Sequence, residues 1–143
     1  MSKAKIKFKI VTLERVTYED EIDQITVPTE AGEITILPRH SPLVSLIKPG
    51  ELRVKKDGYL ISLAVSTGFL EIRKNNEVYI LADSTERAED IDIEASRLAK
   101  ERAEQLLKQK QDKTEVDFAR LQAIINRETA RLKIANKYRK VKK

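Results

Sequence analysis

The sequence predicts an α+β protein of two domains, an N-terminal antiparallel β-sheet domain followed by a C-terminal pair of α-helices. Apolar residues alternate with polar ones as far as residue 82, the pattern of half-buried strands. A polar stretch at 83–90 interrupts the alternation. Beyond it, apolar residues recur every three or four positions, which is the period of an α-helix. We therefore expect domains at residues 1–84 and 85–143.

The strand pattern is clearest at the N-terminus, where Ile6, Phe8 and Ile10 share one face and lysines occupy the other. The later candidate strands are residues 16–18, 22–27, 33–37, 43–47, 51–55, 59–66, 69–73 and 77–82. Between two of them, Lys56-Asp57-Gly58 predicts a tight hairpin turn, because glycine accepts the positive φ that such turns need. Many short strands separated by turns are typical of a sandwich or a flattened barrel.

Two helices are predicted after the boundary. Asp92 is a candidate N-cap of the first helix. Its expected apolar stripe is Ala95, Leu98, Ala99, Ala103, Leu106 and Leu107. A polar break at Gln111–Lys113 ends this helix, and Thr114 with Asp117 resembles the capping box that starts a second one. The second apolar face contains Phe118, Leu121, Ile125, Leu132 and Ala135.

Two helices joined by a short polar turn predict an antiparallel hairpin. About ten large apolar side chains cannot offset the conformational entropy lost when roughly 50 residues become ordered. We therefore expect that the hairpin depends on the β domain or on a partner for stability, and that it can change conformation.

Charge is unevenly distributed along the chain. Residues 1–83 carry 12 basic and 12 acidic side chains, whereas residues 84–143 carry 16 basic and 11 acidic ones. Among the last 17 residues, eight Lys and Arg accompany the single acid Glu128. An acidic partner is therefore expected to bind the C-terminal arm, and nucleic acid, anionic lipid or an acidic protein loop would qualify. The scarcity of aromatic residues disfavours nucleic acid.

No catalytic or metal site is evident in the sequence. The chain has no cysteine, its single histidine is His40, and no glycine-rich phosphate loop or nucleophile elbow occurs. The basic N-terminus alternates as a strand does, unlike a signal peptide, and no run of about 18 apolar residues is present. These features predict a non-enzymatic binding protein with no metal and no cofactor.

Three stretches closely resemble one protein family. Residues 32–50 contain GEITILPRHSPL and end in IKPG, and further matches lie at 66–72 and 80–92. Together they resemble the epsilon subunit of the F-type ATP synthase, which is called delta in mitochondria. The resemblance covers essentially the whole chain, in order and with the expected spacing.

This resemblance implies a β-sandwich of about ten strands, followed by a two-helix hairpin, in a non-catalytic subunit of the rotor stalk. The β domain would bind the gamma subunit and the ring of c subunits, so that rotation passes between the ring and the catalytic head. Loops around Glu33 and His40 match positions that face the c ring and gamma. The complex would hold the chain at the cytoplasmic face of the bacterial inner membrane. Whether protons or sodium ions drive it is not evident.

In bacterial members the hairpin is regulatory. When extended, it reaches the catalytic head and inhibits ATP hydrolysis, and its basic residues meet an acidic loop of the beta subunit. The alpha subunit is a further expected partner in this extended state. Arg120, Arg127 and Arg131 fall on matching positions, and the basic tail at 138–143 would either strengthen or displace that contact.

Some members also bind ATP as a regulatory ligand. Ile91 and Asp92 match the nucleotide motif of those members. At two further motif positions, however, Ala95 and Ser96 replace an Arg-Ala pair. Glu86 and Arg102 match two other contact positions of those members. Loss of the arginine removes a positive donor, so we expect weak ATP binding.

A function of another class remains open at this stage. The basic arm would equally suit a free-standing adaptor that binds nucleic acid or an acidic protein. Co-purification separates the two hypotheses, because the first predicts gamma and c subunits and the second predicts salt-sensitive nucleic acid.

Overall fold

The structure is a computed structural model that describes residues 4–109 and 113–142, without the side chains of residues 140–142. It divides into two units, Met1–Arg87 and Ala88–Lys143. The predicted break at Gln111 and Asp112 and the end of the basic tail lie outside the described residues.

The first unit contains ten strands within the described part of the chain. They are β1 (Ile6–Val11), β2 (Val16–Ile22), β3 (Gln24–Thr29), β4 (Gly32–Ile36), β5 (Leu43–Ile47), β6 (Gly50–Lys56), β7 (Tyr59–Val65), β8 (Gly68–Arg73), β9 (Glu77–Ala82) and β10 (Thr85–Arg87). Hydrogen bonds connect them in the order β10-β7-β6-β3-β5-β8-β9-β1-β2, with β4 also paired to β3. The predicted antiparallel sheet is confirmed, with one pair, β1 and β9, running parallel.

Strands from the two ends of this order also contact each other. Thr85 of β10 donates a hydrogen bond from its hydroxyl to that of Thr17 in β2 at 3.0 Å. An ion pair between Lys56 and Asp20 joins β6 to β2. The sheet therefore curls toward closure. This shape lies between the two alternatives that the sequence predicted, a sandwich and a flattened barrel.

The boundary between the units differs from the predicted one after residue 84. Residues 85–87 form β10, which pairs with Leu63, Ala64 and Val65 of β7. A strand of three residues is too short to show an alternating pattern, so the predicted end of the sheet domain lies three residues too early.

One face of the strands forms a single apolar core. The predicted inward residues of β1, namely Ile6, Phe8 and Ile10, are all buried. The other buried members are Ile22, Ile25, Val27, Ile36, Ile47, Leu52, Val54, Leu63, Val65, Leu70, Ile72, Val78, Ile80 and Ala82. Each large member contributes about 1.5–3 kcal/mol when withdrawn from water, so this core is the main source of stability in the unit.

Glycine is required at two places in the sheet. Asp57 and Gly58 have φ of 49° and 83°, which confirms the predicted hairpin turn between β6 and β7. At Gly68, a Cβ atom would lie 2.2 Å from the carbonyl oxygen of Leu81. The close approach of β8 and β9 at that point therefore excludes any side chain.

The second unit consists of a 3₁₀ turn (Ala88–Asp90), α1 (Ile93–Lys108) and α2 (Glu115–Lys142). Asp92 caps α1 as predicted, because its Oδ1 accepts a hydrogen bond from the Ala95 amide at 3.0 Å. The predicted capping box of α2 is also present, with two reciprocal 3.1 Å bonds between Thr114 and Asp117. Tyr138, near the end of α2, donates to Glu89 of the turn before α1 at 3.1 Å, so the helices run antiparallel.

The predicted apolar stripe of α1 is only partly correct. Ala95, Leu98 and Leu106 are exposed, whereas Ser96 and Ala103 are the buried residues of this helix. The face of α1 that packs against α2 is therefore rotated away from the predicted stripe. It carries Ser96 and Ala103 because small side chains allow the backbones of the two helices to approach closely. On α2, Phe118 is exposed. The buried residues of this helix, within its described part, are Glu128, Ile134 and Ala135.

Candidate interaction surfaces

An apolar row crosses the outer face of the sheet. Leu46 of β5, Phe69 of β8 and Leu81 of β9 pair in adjacent strands and are each about half exposed. Together with Leu13, which is 88% exposed, they line a shallow groove of about 210 Å³. Clustered apolar side chains on an outer face are typical of a protein–protein contact. Sequence analysis overlooked this row, although its signal was present as apolar residues at outward positions.

Glu33 lies in a polar ladder on the outer face of the sheet. It is the second residue of β4, at the start of the strand predicted for 33–37, and it directly follows the turn that the family resemblance associates with a binding loop. Arg53 donates two hydrogen bonds to its carboxylate, at 2.7 and 3.0 Å, and a third to Glu51 at 3.2 Å. The Glu33 carboxylate raises the pKa of Arg53. Ser62 extends the ladder by donating to Glu51 at 2.6 Å.

His40 lies in the connection between β4 and β5. Its ring Nδ1 is 2.7 Å from the carbonyl oxygen of Ser41, which can only accept, so Nδ1 carries a hydrogen. The preceding residue, Arg39, has a φ of 69° and donates its amide to the side chain of Asn76 at 2.6 Å. Glu33 thus lies near the start of β4 and His40 lies beyond its end, and the strand rises about 10 Å between Glu33 and Ile36.

The three predicted arginines lie along α2. Spacings of seven and four residues place Arg120, Arg127 and Arg131 on one side of the helix. Arg120 and Arg127 are exposed. Arg131 is largely covered and donates to the two carboxylate oxygens of Glu128 at 2.5 and 3.0 Å. Sequence analysis did not assign a role to Glu128, which is only 1% exposed.

Two of the residues that match the nucleotide motif already make other hydrogen bonds within the helical unit. Asp92 caps α1, and the carbonyl of the buried Ile91 accepts a hydrogen bond from Arg139 at 3.4 Å. Arg102 is exposed, ten residues beyond Asp92, which corresponds to about 15 Å along α1. Glu86 belongs to β10 in the other unit. Within the part of the chain that is described, no group of three or more potential metal ligands occurs.

Comparison with known proteins assigns a family to both units. Residues 5–88 match the ATP synthase delta/epsilon chain β-sandwich domain, and residues 89–136 match the long α-helix domain of the same chain. The chain belongs to the ATP synthase delta/epsilon family. Members of this family are non-catalytic subunits of ATP synthase, so the present chain is such a subunit and not itself an enzyme.

Individual relatives agree with the assignment. The ATP synthase epsilon chain of Desulforamulus reducens is 43% identical over 90% of this chain and 96% of its own length. That of Dehalococcoides mccartyi is 44% identical over 96% of both chains. These matches confirm the family resemblance found in the sequence and lend no support to a free-standing adaptor.

Solved structures share the fold of this family member. A chain in the mitochondrial ATP synthase of Euglena gracilis, in an assembly with OSCP, F1 and the c-ring, is similar with a TM-score of 0.77. The two are 22% identical, and the match covers 90% of this chain and 79% of the other. A chain from the mitochondrial central stalk and c-ring assembly of Tetrahymena thermophila has a TM-score of 0.61 and is 16% identical, and the match covers 94% of this chain and 99% of the other.

Across the described residues, neither helix is sufficiently long and apolar to cross a membrane.

Proposed function

We propose that the chain works on the central stalk of a bacterial F-type ATP synthase. The sheet unit couples the gamma subunit to the c ring, and the helical unit restrains ATP hydrolysis at the catalytic head. The match of both units, in order, to the two domains of the family carries this proposal. In this arrangement the c ring holds the chain at the cytoplasmic face of the inner membrane.

Gamma is the proposed partner of the apolar row formed by Leu46, Phe69 and Leu81. Three half-exposed apolar side chains on adjacent strands would leave water on binding, at a gain of about 25 cal/mol per Å². Phe69→Glu should therefore abolish co-purification with gamma. Leu60→Glu is the matched control, because Leu60 is at least as exposed as Phe69 but lies near the β6–β7 turn. Retention of gamma by the Phe69 variant would contradict this assignment.

Glu33 and His40 are the proposed contacts with the c ring and gamma. Because they lie at opposite ends of β4, we assign them to two separate contacts and not to one rim. Glu33 retains about half of its side-chain exposure while bonded to Arg53, so its carboxylate remains accessible to a basic loop. Glu33→Gln should weaken cross-linking to c subunits and leave gamma bound, whereas equal loss of both would argue against separate contacts.

The arginines of α2 are the proposed contacts with an acidic loop of the beta subunit. Exposed Arg120 and Arg127 can meet carboxylates without any rearrangement of α2 itself. Arg120→Ala with Arg127→Ala should raise ATP hydrolysis by the reconstituted complex, as should Arg127→Ala with Arg131→Ala. Lys108→Ala with Lys133→Ala removes the same charge from exposed positions and should not. Unchanged hydrolysis in both arginine variants would refute the regulatory role.

ATP binding to this chain is proposed to be weak. Ala95 and Ser96 stand in place of the Arg-Ala pair, and the Ser96 hydroxyl lies 3.4 Å from a Glu128 carboxylate oxygen. A missing cation and a nearby carboxylate both disfavour a polyphosphate. Calorimetric titration of the isolated chain should find no micromolar site, and Ala95→Arg should tighten whatever binding exists. Micromolar affinity of the unmodified chain would overturn the proposal.

A further inference from the structure

A carboxylate is enclosed in the middle of the helical unit. Glu128 of α2 is 1% exposed, and Ser96 of α1, which faces it, is fully buried. The Ser96 hydroxyl is 3.4 Å from Oε2 and from the carbonyl oxygen of Glu128. An ionised carboxylate withdrawn from water is costly unless cations and hydrogen-bond donors satisfy it.

Arg131 supplies most of that compensation. Its NH1 donates to Oε1 at 2.5 Å and to Oε2 at 3.0 Å. Arg127 contributes less, since its Nε is 3.9 Å from Oε1 and its side chain is about half exposed. Glu128 is also the only acid from Phe118 to the end of the chain, where nine Lys and Arg occur. The most basic segment therefore contains a single carboxylate, and that carboxylate is bonded to Arg131.

We propose that Glu128 is an internal competitor for Arg131, which an external acidic protein segment must displace before it can bind that arginine. The choice of an acidic protein partner rests on the proposed function. Arg120 and Arg127 offer the first contact, because both are exposed on the same side of α2. Arg131 then exchanges the carboxylate of Glu128 for a carboxylate of the partner. Glu128 therefore reduces the affinity of the C-terminal arm for that partner.

The experiment measures binding of a fluorescent deca-glutamate peptide to the full chain by anisotropy at low salt. Glu128→Gln keeps the shape of the side chain, removes its charge, and should tighten binding about three- to tenfold. Glu115→Gln makes the same change in net charge at an exposed position and should have a smaller effect. Glu128→Asp keeps the charge but shortens the reach to Arg131, so it should also tighten binding.

Arg131→Ala provides the decisive background. If Glu128 acts through Arg131, Glu128→Gln should gain no more than Glu115→Gln does once the arginine is gone. The proposal would be overturned if Glu128→Gln gained the same affinity with and without Arg131, or if its gain were no larger than that of Glu115→Gln. It would also be overturned if no variant bound the peptide measurably. Circular dichroism of each variant verifies that the helices persist, and Glu128→Asp decides the matter should Glu128→Gln unfold.

Hydrolysis assays on the complex reconstituted with Glu128→Gln separate this inference from the proposed function. Tighter peptide binding together with stronger inhibition supports both ideas. Tighter peptide binding without any change in hydrolysis supports the competition at Arg131 and counts against the regulatory role of the arm.

Discussion

The two units bury different kinds of residue. In the sheet unit, 17 apolar side chains form one continuous cluster. In the helical unit, the described buried residues of α1 and α2 are small or polar, apart from Ile134. They are Ser96, Ala103, Glu128, Ile134 and Ala135. Large apolar side chains of the same helices, including Leu98 and Phe118, remain exposed.

This difference indicates that the two units differ in how easily they can rearrange. An apolar core of this size fixes one arrangement, because any rearrangement of its strands would expose many side chains at once. The contact between α1 and α2 consists of small and polar residues, so it can open at a lower cost in free energy. The exposed apolar side chains of these helices can then be buried against a partner. The sheet unit is therefore suited to transmit force, and the helical unit is suited to change its contacts.

The largest expected effect concerns the two cores. Leu70→Ala, at a fully buried position in β8, should lower the free energy of unfolding by about 2–5 kcal/mol. Leu121→Ala, at a half-buried position in α2, should cost about 1 kcal/mol or less. Urea unfolding measures both losses, with the sheet followed by tyrosine fluorescence in a Tyr138→Phe background, where every remaining tyrosine lies in the sheet unit, and the helices followed by far-ultraviolet circular dichroism. Equal losses would remove the contrast between the units.

Hydrogen exchange in the unmodified chain provides a second test. Amides of β8 and β9 should exchange about 30- to 100-fold more slowly than those of α1 and α2, because local opening of the helices exposes little apolar surface. Mass spectrometry of peptic fragments resolves the two units. Helices protected as strongly as the central strands would show that the seam at Ser96 and Glu128 is as firm as the apolar core.

The smallest expected effect is a pH dependence within the sheet unit. The Lys56 ammonium beside Asp20 lowers the pKa of that carboxyl. The ion pair therefore stabilises the sheet from the ordinary aspartate pKa of about 3.9 up to the alkaline range in which Lys56, whose pKa is raised by Asp20, loses its proton. Toward acid, this contribution is lost as the pH falls through the lowered pKa of Asp20. Asp20→Asn should be less stable than the unmodified chain at pH 7 and equally stable near pH 2. Lys56→Met should show the same convergence.

Much of the fold could be predicted because period-two alternation identifies strands and their inward faces, as at Ile6, Phe8 and Ile10. Alternation does not identify strand partners, so the parallel pairing of β1 with β9 had no signal in the sequence. The face of α1 was misjudged for a related reason. A hydrophobicity pattern favours Leu98, whereas backbone proximity favours the small Ser96.

The candidate sites were less predictable. A charged residue is ordinarily assigned to solvent, so Glu128 was passed over although the spacing of Leu121, Ile125 and Leu132 extends directly through it. The resemblance to the family located Glu33 and His40 but not their separation, which follows from the length of β4. Direct interactions such as that between Glu33 and Arg53 depend on strand order, which one sequence does not supply.

The position of β1 has a consequence for the order of folding. It is bounded by β2, its immediate successor, and by β9, which follows about 70 residues later. During synthesis β1 can pair at once on one edge but must wait for nearly the whole sheet to be made before the other edge is satisfied. Contacts of such long sequence separation slow folding. The sheet thus assembles late and as a whole, and an unfinished chain presents an open β1 edge to which other strands can add.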